Sequence, residues 1–230
     1  MRMCFFILAF LPFSLWSQRD SLPDFEAADP KYREDQFYLS LTYNIWQQRP
    51  EGIRQNKFSP GFSIGFLRDM PLNEKRTWAI AAGLGYAFHN FSHNIFMSRS
   101  GNDIVYDILD DDTTVDRNKI SFHFVELPLE LRWRTSTPDN HKFWRIYTGV
   151  KLSYLFANRY KFENGDSSFI IRNNKDVSRW QYGAYIATGY NTWNLHLYYS
   201  LSPLFDGARL PGGTELDMQT LNVGLMFYIL

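Results

Sequence analysis

Apolar residues alternate with polar or very small residues in eight stretches of this chain, and the clearest stretch is 77–89. Its large residues are Trp78, Ile80, Leu84, Tyr86 and Phe88, and the small residues between them are Ala79, Ala81, Gly83, Gly85 and Ala87. A soluble strand with one wet face would carry Lys, Glu or Thr on its second face. Small residues instead suit the inner wall of a narrow barrel, and bulky apolar residues suit an outer wall that meets lipid. The stretch therefore predicts a barrel strand in a membrane.

The same alternation predicts eight strands, at 36–47, 57–68, 77–89, 120–134, 143–157, 177–190, 193–205 and 218–230. The even-numbered connections are the short turns 69–76, 135–142 and 191–192, whereas the odd-numbered ones include the two longest loops, 90–119 and 158–176. A membrane barrel has this parity because its turns lie on one side and its loops on the other. An all-β sandwich has no reason to obey it. We therefore predict an all-β fold, an eight-stranded antiparallel up-and-down transmembrane β-barrel with both termini in the periplasm.

Two further patterns refine this prediction. Four tryptophans lie beside the short turns, as an interfacial aromatic girdle requires; they are Trp78, Trp133, Trp144 and Trp193. Short alternating pieces at 95–97 and 104–106 lie within the longest loop. These pieces predict that the third and fourth strands continue beyond the membrane as a hairpin.

The N-terminus has the pattern of a secretory signal. Arg2 supplies a positive charge, 4–16 is an apolar run too short to span a bilayer, and Ser17 is a small residue at the expected cleavage point. The alternative is a buried apolar segment of a cytosolic domain. We predict a signal peptide at 1–17, a flexible periplasmic lead-in at 18–35 and the barrel domain at 36–230. Cleavage would remove Cys4, the only cysteine, and with it disulfides, thiolate catalysis and cysteine-metal sites.

Composition narrows the function. The chain has 24 basic and 24 acidic residues, so its formal net charge is zero and no overall attraction to nucleic acid or to anionic lipid is implied. It is rich in aromatic residues (18%), yet a mean hydropathy of -0.34 is too polar for a helical membrane protein. No glycine-rich phosphate loop leads from a strand into a helix. The run Asp110–Asp112 lacks the ligand spacing of a calcium loop. We therefore expect no cofactor and no metal.

The inward-facing charges are the strongest candidate site. If the fourth and fifth strands pair about a turn centred at 138–139, Glu126 faces Lys151 and Arg132 faces Arg145. Glu130 then lies diagonally from Arg145, within reach of it and of Arg132. We interpret this lumen charge cluster as structural, because paired charges fill an interior too narrow for a water channel. A lumenal proton or anion path is the alternative.

The sixth and seventh strands contribute polar groups to the same interior. Pairing through the turn at 191–192 places Tyr185 opposite Tyr198 and His196 opposite Ala187, which again fills the lumen. His196 as a catalytic base is the alternative, with Ser200 and Ser202 on its own strand but no carboxylate placed to orient it. A surface metal site is also conceivable near the outer end of the third and fourth strands, where three histidines lie close in sequence: His89, His93 and His123.

Several segments together resemble a known family. These are the signal ending Ser17-Gln18, the strand Phe58-Ser-Pro-Gly-Phe-Ser-Ile-Gly-Phe-Leu-Arg-Asp69, the segment Val125-Glu-Leu-Pro-Leu-Glu-Leu-Arg132 and the Gly-Tyr-Asn191 strand end. With them the chain resembles the small outer-membrane barrels of Bacteroidota that are grouped as PorT-like or porin-family proteins. The resemblance covers nearly the whole mature chain, but its motifs are structural and carry no catalytic residues. It implies an envelope role such as type IX secretion or gliding.

These observations lead to one expected function and two alternatives. We expect a non-enzymatic outer-membrane barrel, structural or accessory to an envelope process, embedded in outer-membrane lipid. It would contact envelope or secretion proteins through the loops 90–119 and 158–176. The alternatives are a narrow pore or ligand-binding barrel and an outer-membrane lipid hydrolase.

Overall fold

A computed structural model describes residues 34–55, 57–110, 113–135, 143–165 and 167–229. Eight strands form one closed antiparallel barrel: β1 (Gln36–Gln47), β2 (Pro60–Pro71), β3 (Trp78–Ser92), β6 (Arg117–Arg134), β7 (Trp144–Asn164), β9 (Trp180–Tyr190), β10 (Trp193–Ser200) and β11 (Gln219–Ile229). Each pairs with the barrel strand next to it along the chain, and β1 pairs with β11 to close the ring. The predicted eight-stranded up-and-down barrel is confirmed.

The predicted parity of the connections is also confirmed. The short connections 72–77, 135–143 and 191–192 lie at one end of the barrel, which we call the short-turn end. The other connections meet at the long-loop end. Some strands are longer than predicted because polar residues at their ends still belong to the sheet. Asp69, predicted to lie in a turn, belongs to β2 and is paired with Ala81 of β3. Predicted segments at 1–17, 18–33 and 138–139 lie outside the described residues.

The long-loop end extends well beyond the ring of eight strands. β6 and β7 remain paired up to Arg117 and Glu163 there, and β8 (Ser167–Arg172) adds to the far end of β7. β4 (Ile95–Ser100) and β5 (Asp103–Ile108) pair only with each other, in a separate two-stranded sheet. The pieces at 95–97 and 104–106 therefore pair as the predicted hairpin, but this hairpin is a sheet of its own and not a continuation of the barrel strands. The inward side chains Ile95, Met97 and Tyr106 pack this hairpin against the core of the long-loop end.

The outer wall carries a continuous apolar belt. Leu84, Leu129 and Leu195 are all about half exposed or more on the outward face. Three of the predicted girdle residues are exposed at the short-turn end, and the fourth, Trp133, is paired with Trp78. A second aromatic level lies ten residues along β7, where Tyr154 pairs with Trp180. At about 3.3 Å per residue and a tilt of about 40°, the two levels are about 25 Å apart, which is the height of a lipid-facing band.

The inner wall has small residues at the positions where large side chains of other strands pack against it. Ala79, Ala81 and Ala87 are fully buried on the inward face of β3. A side chain at Gly85 would place its Cβ 1.9 Å from the hydroxyl oxygen of Tyr38, which reaches from β1 over Gly65 of β2. The predicted facing of this strand is confirmed, because its small residues line the interior. They leave room there for bulky side chains from other strands. Within the described residues, no helix is long and apolar enough to cross a membrane.

Candidate functional site

The lumen at the short-turn end contains a buried ionic network centred on Asp69. Arg134 donates to both carboxylate oxygens of Asp69, with Nη1 2.9 Å from Oδ1 and Nη2 2.8 Å from Oδ2. Arg132 Nη1 donates to the same Oδ1 over 3.0 Å. All three side chains are completely shielded from solvent. A carboxylate between two guanidinium groups satisfies most of its lone pairs, which offsets the cost of burying it.

Glu130 is the second acid of this network. Its Oε2 accepts from Arg132 Nε over 2.7 Å, and its Oε1 accepts from the hydroxyls of Tyr185 and Tyr228 over 2.8 and 3.1 Å. The Arg132 guanidinium also lies over the Tyr147 ring, 4.7 Å from its centroid. Residues from four strands therefore converge on one carboxylate and one guanidinium, and this ties opposite walls of the barrel together.

Glu126 and Lys151 form a separate ion pair nearer the middle of the lumen, with Nζ 3.0 Å from Oε2. The prediction that they lie directly opposite each other is wrong, because Glu126 faces Ser153 and Lys151 faces Pro128. The true register of β6 on β7 differs from the predicted one by two residues. A slip of two leaves every side chain on its own face, so the apolar pattern cannot detect it. The ion pair forms along the diagonal.

Arg145 differs most from its predicted surroundings. It faces Arg134 rather than Arg132, and no contact joins it to Glu130. Its guanidinium instead lies over the Phe143 ring, 4.5 Å from the centroid. Its Nε and Nη1 have no hydrogen-bond partner among the described residues. The predicted diagonal contact is wrong because the two-residue shift moves Arg145 one step nearer the opening.

The buried acidic and basic residues in the short-turn half of the lumen are equal in number. We call the set the charged lumen; its four acids and four bases are Glu34, Asp69, Glu126, Glu130, Arg132, Arg134, Arg145 and Lys151. Three of these were not among the predicted site residues. The sequence pattern alone predicts a turn at Asp69 and places Glu34 in the lead-in. The signal that would have identified Asp69 is its parity with Ser63 and Gly65, which face inward on the same strand.

The polar residues of β9 and β10 lie where the turn at 191–192 predicts. Tyr185 pairs with Tyr198, and His196 with Ala187. The His196 ring contacts Tyr185 edge-on, 5.6 Å between centroids, and its Nδ1 has no hydrogen-bond partner among the described residues. Ser200 Oγ donates to the carbonyl of Ser202, 2.8 Å away. Ser200 lies four residues from His196 on one strand, about 13 Å along it, so the two do not form a nucleophile–base pair.

The other half of the interior is filled by aromatic side chains. We call this set the aromatic plug; it consists of Trp46, Phe91, Phe122, Phe124, Tyr160 and Phe205, all buried. Trp46 stacks on Phe91 with centroids 5.2 Å apart, and Phe91 meets Phe122 edge-on at 5.8 Å. The cavity between plug and charged lumen, lined by Phe124 and Glu126 among others, measures about 10 Å³. That is room for about one water molecule.

The three histidines of the conceivable metal site do not converge. His123 faces outward and bonds the Tyr86 hydroxyl through Nδ1, whereas His89 on the neighbouring strand faces inward. His93 stacks on Trp46 within the long-loop end, and its Nδ1 accepts from the backbone N–H of Ile95. Burial lowers the pKa of His93 to about 3, so this ring is neutral. Nowhere in the described ranges do three His, Cys, Asp or Glu side chains lie close enough to share a metal ion.

Comparisons with known proteins agree with this architecture. The family model described as "Outer membrane protein beta-barrel domain" matches residues 16–206. None of the curated proteins matches the sequence. Among solved structures, the chain is similar to Ail, the attachment invasion locus protein of Yersinia pestis. The identity is 13% and the TM-score 0.41, over 85% of this chain and 97% of that one.

A second Ail structure, in complex with the heparin analogue sucrose octasulfate, gives 13% identity and a TM-score of 0.37, over 85% of this chain and 98% of Ail. These likenesses are too distant to add to the strand pairings described above. The family match spans most of the chain, including seven of the eight barrel strands. The protein therefore belongs to the outer membrane protein beta-barrel domain family and is an outer-membrane β-barrel.

Proposed function

We propose that this protein is a non-enzymatic, non-conducting outer-membrane barrel that acts as a structural or accessory component of an envelope process. The observation that carries this proposal is the filled interior. Side chains close it twice, by an ionic network around Asp69 and Arg132 and by the stacked rings of Trp46 and Phe91. An eight-stranded barrel is just wide enough for its side chains to fill. A barrel closed in this way offers its loops, rather than its lumen, to other molecules.

The proposed orientation follows from the loops. Short turns lie on the periplasmic side of such barrels and longer connections lie outside. We propose that the signal peptide 1–17 is removed and that the long-loop end faces the exterior. The connections 93–116 and 165–179 would then be the contact surface for envelope or secretion proteins. A barrel anchored by an apolar belt and presenting a folded outer platform suits that role.

Electrical recording tests the closed interior. The purified full-length protein is inserted into planar bilayers, with a water-filled porin as positive control for the bilayer. Heat-modifiable migration on a gel verifies that the barrel is folded. We expect no discrete conductance steps. Reproducible steps from folded protein would overturn the proposal in favour of a narrow pore.

Deletion of the gene in its own host tests the biological role. The resemblance to PorT-like barrels favours secretion or gliding, so we expect the deletion strain to lose a set of exported proteins. Restoring the gene should return them. Normal export combined with sensitivity to detergent would instead favour a purely structural role in the envelope. Unchanged export and an intact barrier would contradict both.

The hydrolase alternative has little support in the geometry. The described residues place no carboxylate in contact with His196, and the serines of its strand bond each other rather than the ring. A host strain carrying His196→Ala tests it directly. We expect its lipids to be unchanged in composition. Accumulation of an uncleaved lipid would show that His196 has a catalytic role.

A further inference from the structure

A groove crosses the outer wall where β9 ends and β8 begins along β7. Its volume is about 250 Å³. Tyr154 and Phe156 line the side nearest the apolar belt, and Asn173, Lys175 and Arg179 line the polar side. Asn173 and Arg179 still bond the β7 backbone, but the chain between them turns away to pair Val177 with Phe205, so neither β8 nor β9 covers the groove. The groove is therefore open to the surroundings of the barrel.

The groove lies at the boundary between lipid and water. Tyr154 and Trp180 form the last pair of the β7–β9 ladder, with ring centroids 4.9 Å apart, and mark the upper aromatic level of the belt. Directly beyond them the register of β6 on β7 shifts, because Phe156 is an extra residue on β7. Such a bulge bends its strand locally. Phe156 is half exposed on the side toward the belt.

Four cations lie at or beside this groove and form no ion pair within the described residues. Lys175 and Arg179 line it, and Arg159 and Arg172 are directly opposite each other on the adjoining β7–β8 ladder. Within the described ranges, none of the four has an ion pair or a side-chain hydrogen bond. Like charges directly opposite each other destabilise a sheet. The arrangement thus has a cost that an anion in the groove would remove.

The acids in this region are already engaged elsewhere. Glu163 bonds Arg117, 3.0 Å away, and also Lys161. Asp176 accepts from the Tyr106 hydroxyl over 2.8 Å. The basic surface continues onto β6, where Lys119 is directly opposite Lys161. Burial is the main cause that lowers the pKa of Lys119; the charges of Arg117, Lys161 and Arg159 add to it and that of Glu163 opposes it.

We propose that the groove binds the phosphorylated headgroup of a glycolipid in the outer leaflet. Its phosphate would lie between Lys175 and Arg179, near the Arg159–Arg172 pair, and its acyl chains would run down past Tyr154 and Phe156. Basic side chains near a membrane surface attract anionic headgroups. A ligand with a phosphate joined to acyl chains fits a site that is cationic above and apolar below, whereas a soluble polyanion uses only the upper half. The choice of leaflet rests on the proposed orientation.

Native mass spectrometry of the full-length protein in detergent tests the site. The probes are a lipid A disaccharide with two phosphates and the same lipid after dephosphorylation. The test variant is Lys175→Gln with Arg179→Gln, and the control is Lys75→Gln with Arg209→Gln, which removes the same charge from exposed positions elsewhere. We expect the test variant to bind the phosphorylated lipid about thirtyfold more weakly. The control should bind it like the parent.

Three results would overturn the proposal. Equal binding of the dephosphorylated lipid by the parent would mean that acyl chains alone are recognised. Equal losses in the test and control variants would mean that only net charge matters. Tight binding of inorganic polyphosphate, abolished by the test variant, would identify a soluble polyanion as the ligand. Since the assay in detergent depends on neither conductance nor orientation, its failure leaves the closed-barrel proposal standing.

Discussion

In the short-turn half of the barrel Arg132 is held by Asp69 and Glu130, whereas in the long-loop half Trp46 is held by stacking on Phe91 and His93. Both residues are completely buried, yet their neighbours impose different demands. A buried guanidinium needs a specific acid at hydrogen-bonding distance, since an unpaired charge in this interior is very costly. A buried ring needs only atoms of matching shape around it. The charged half is therefore specific in chemistry, and the aromatic half is specific in volume.

The largest expected effect comes from breaking the charged half. Arg132→Met leaves Asp69 with one guanidinium and Glu130 with none, so it should reduce the free energy of unfolding in lipid vesicles by about 3–5 kcal/mol. Arg68 is the control, because its side chain is half exposed in the pair that it forms with Asp35. Arg68→Met should cost less than about 1 kcal/mol.

A double variant makes that comparison sharper. Adding Glu130→Gln to Arg132→Met removes both members of one ion pair, so part of the lost stability should return. If the double variant is as unstable as the sum of the two single ones, the pairing does not explain the cost of losing Arg132.

Truncation of the aromatic half should cost about 3 kcal/mol. Phe91→Ala leaves a cavity beneath Trp46 and Phe122 that its neighbours fill only in part. Phe91→Leu keeps the site apolar and nearly filled, so it should cost less than about 1.5 kcal/mol. Phe58, which is 70% exposed, is the control for the truncation itself. Urea unfolding of the three variants gives the ranking, and equal losses for Phe91→Ala and Phe58→Ala would contradict a packed plug.

Removing one hydroxyl from the charged half should cost about 1–2 kcal/mol. Tyr185→Phe deletes one of the two phenol donors to Glu130 Oε1. Tyr147 is the matched control, since its buried hydroxyl has no partner among the described residues. Tyr147→Phe should therefore be nearly neutral in the same unfolding measurement. A larger loss of stability for Tyr147→Phe than for Tyr185→Phe would contradict the hydrogen bond from Tyr185 to Glu130.

The sequence alone predicts this barrel well because lipid-facing and lumen-facing side chains alternate along each strand with a period of two residues. The alternation on β3 establishes which residues face lipid, and the two-residue turn at 191–192 fixes the register of β9 on β10. The register of β6 on β7 could not be predicted in the same way. A two-residue slip changes no side chain's face, and the nine-residue connection 135–143 allows it. The partners of Arg145 were therefore misplaced even though its inward facing was predicted.

The Asp69 network escaped prediction for a different reason. A charged residue followed by Met-Pro-Leu-Asn-Glu-Lys-Arg76 has the composition of a turn, and the contact with Arg134 reaches from β2 over the small residues of β3 to β6. Glu34 is a second case, because it lies before the first strand and meets Arg134 across the opening, 3.5 Å away. Such contacts join strands that are not neighbours in the sheet, and a pattern within one strand or one hairpin does not show them.

The last expected effect is a change with pH, and it concerns the aromatic half. Burial lowers the pKa of His93 to about 3 from an ordinary value near 6.5. The unfolded chain therefore takes up the proton first on acidification. The stability contributed by neutral His93 is complete above pH 6.5 and declines as the pH falls toward 3, by at most about 1.4 kcal/mol per pH unit.

His93→Asn retains an acceptor for the N–H of Ile95 but cannot titrate. Its free energy of unfolding should therefore fall less steeply than the parent's between pH 6.5 and pH 4.5, whatever the offset at pH 7. Parallel slopes would mean that water reaches this ring and that the plug is looser than its stacked rings indicate.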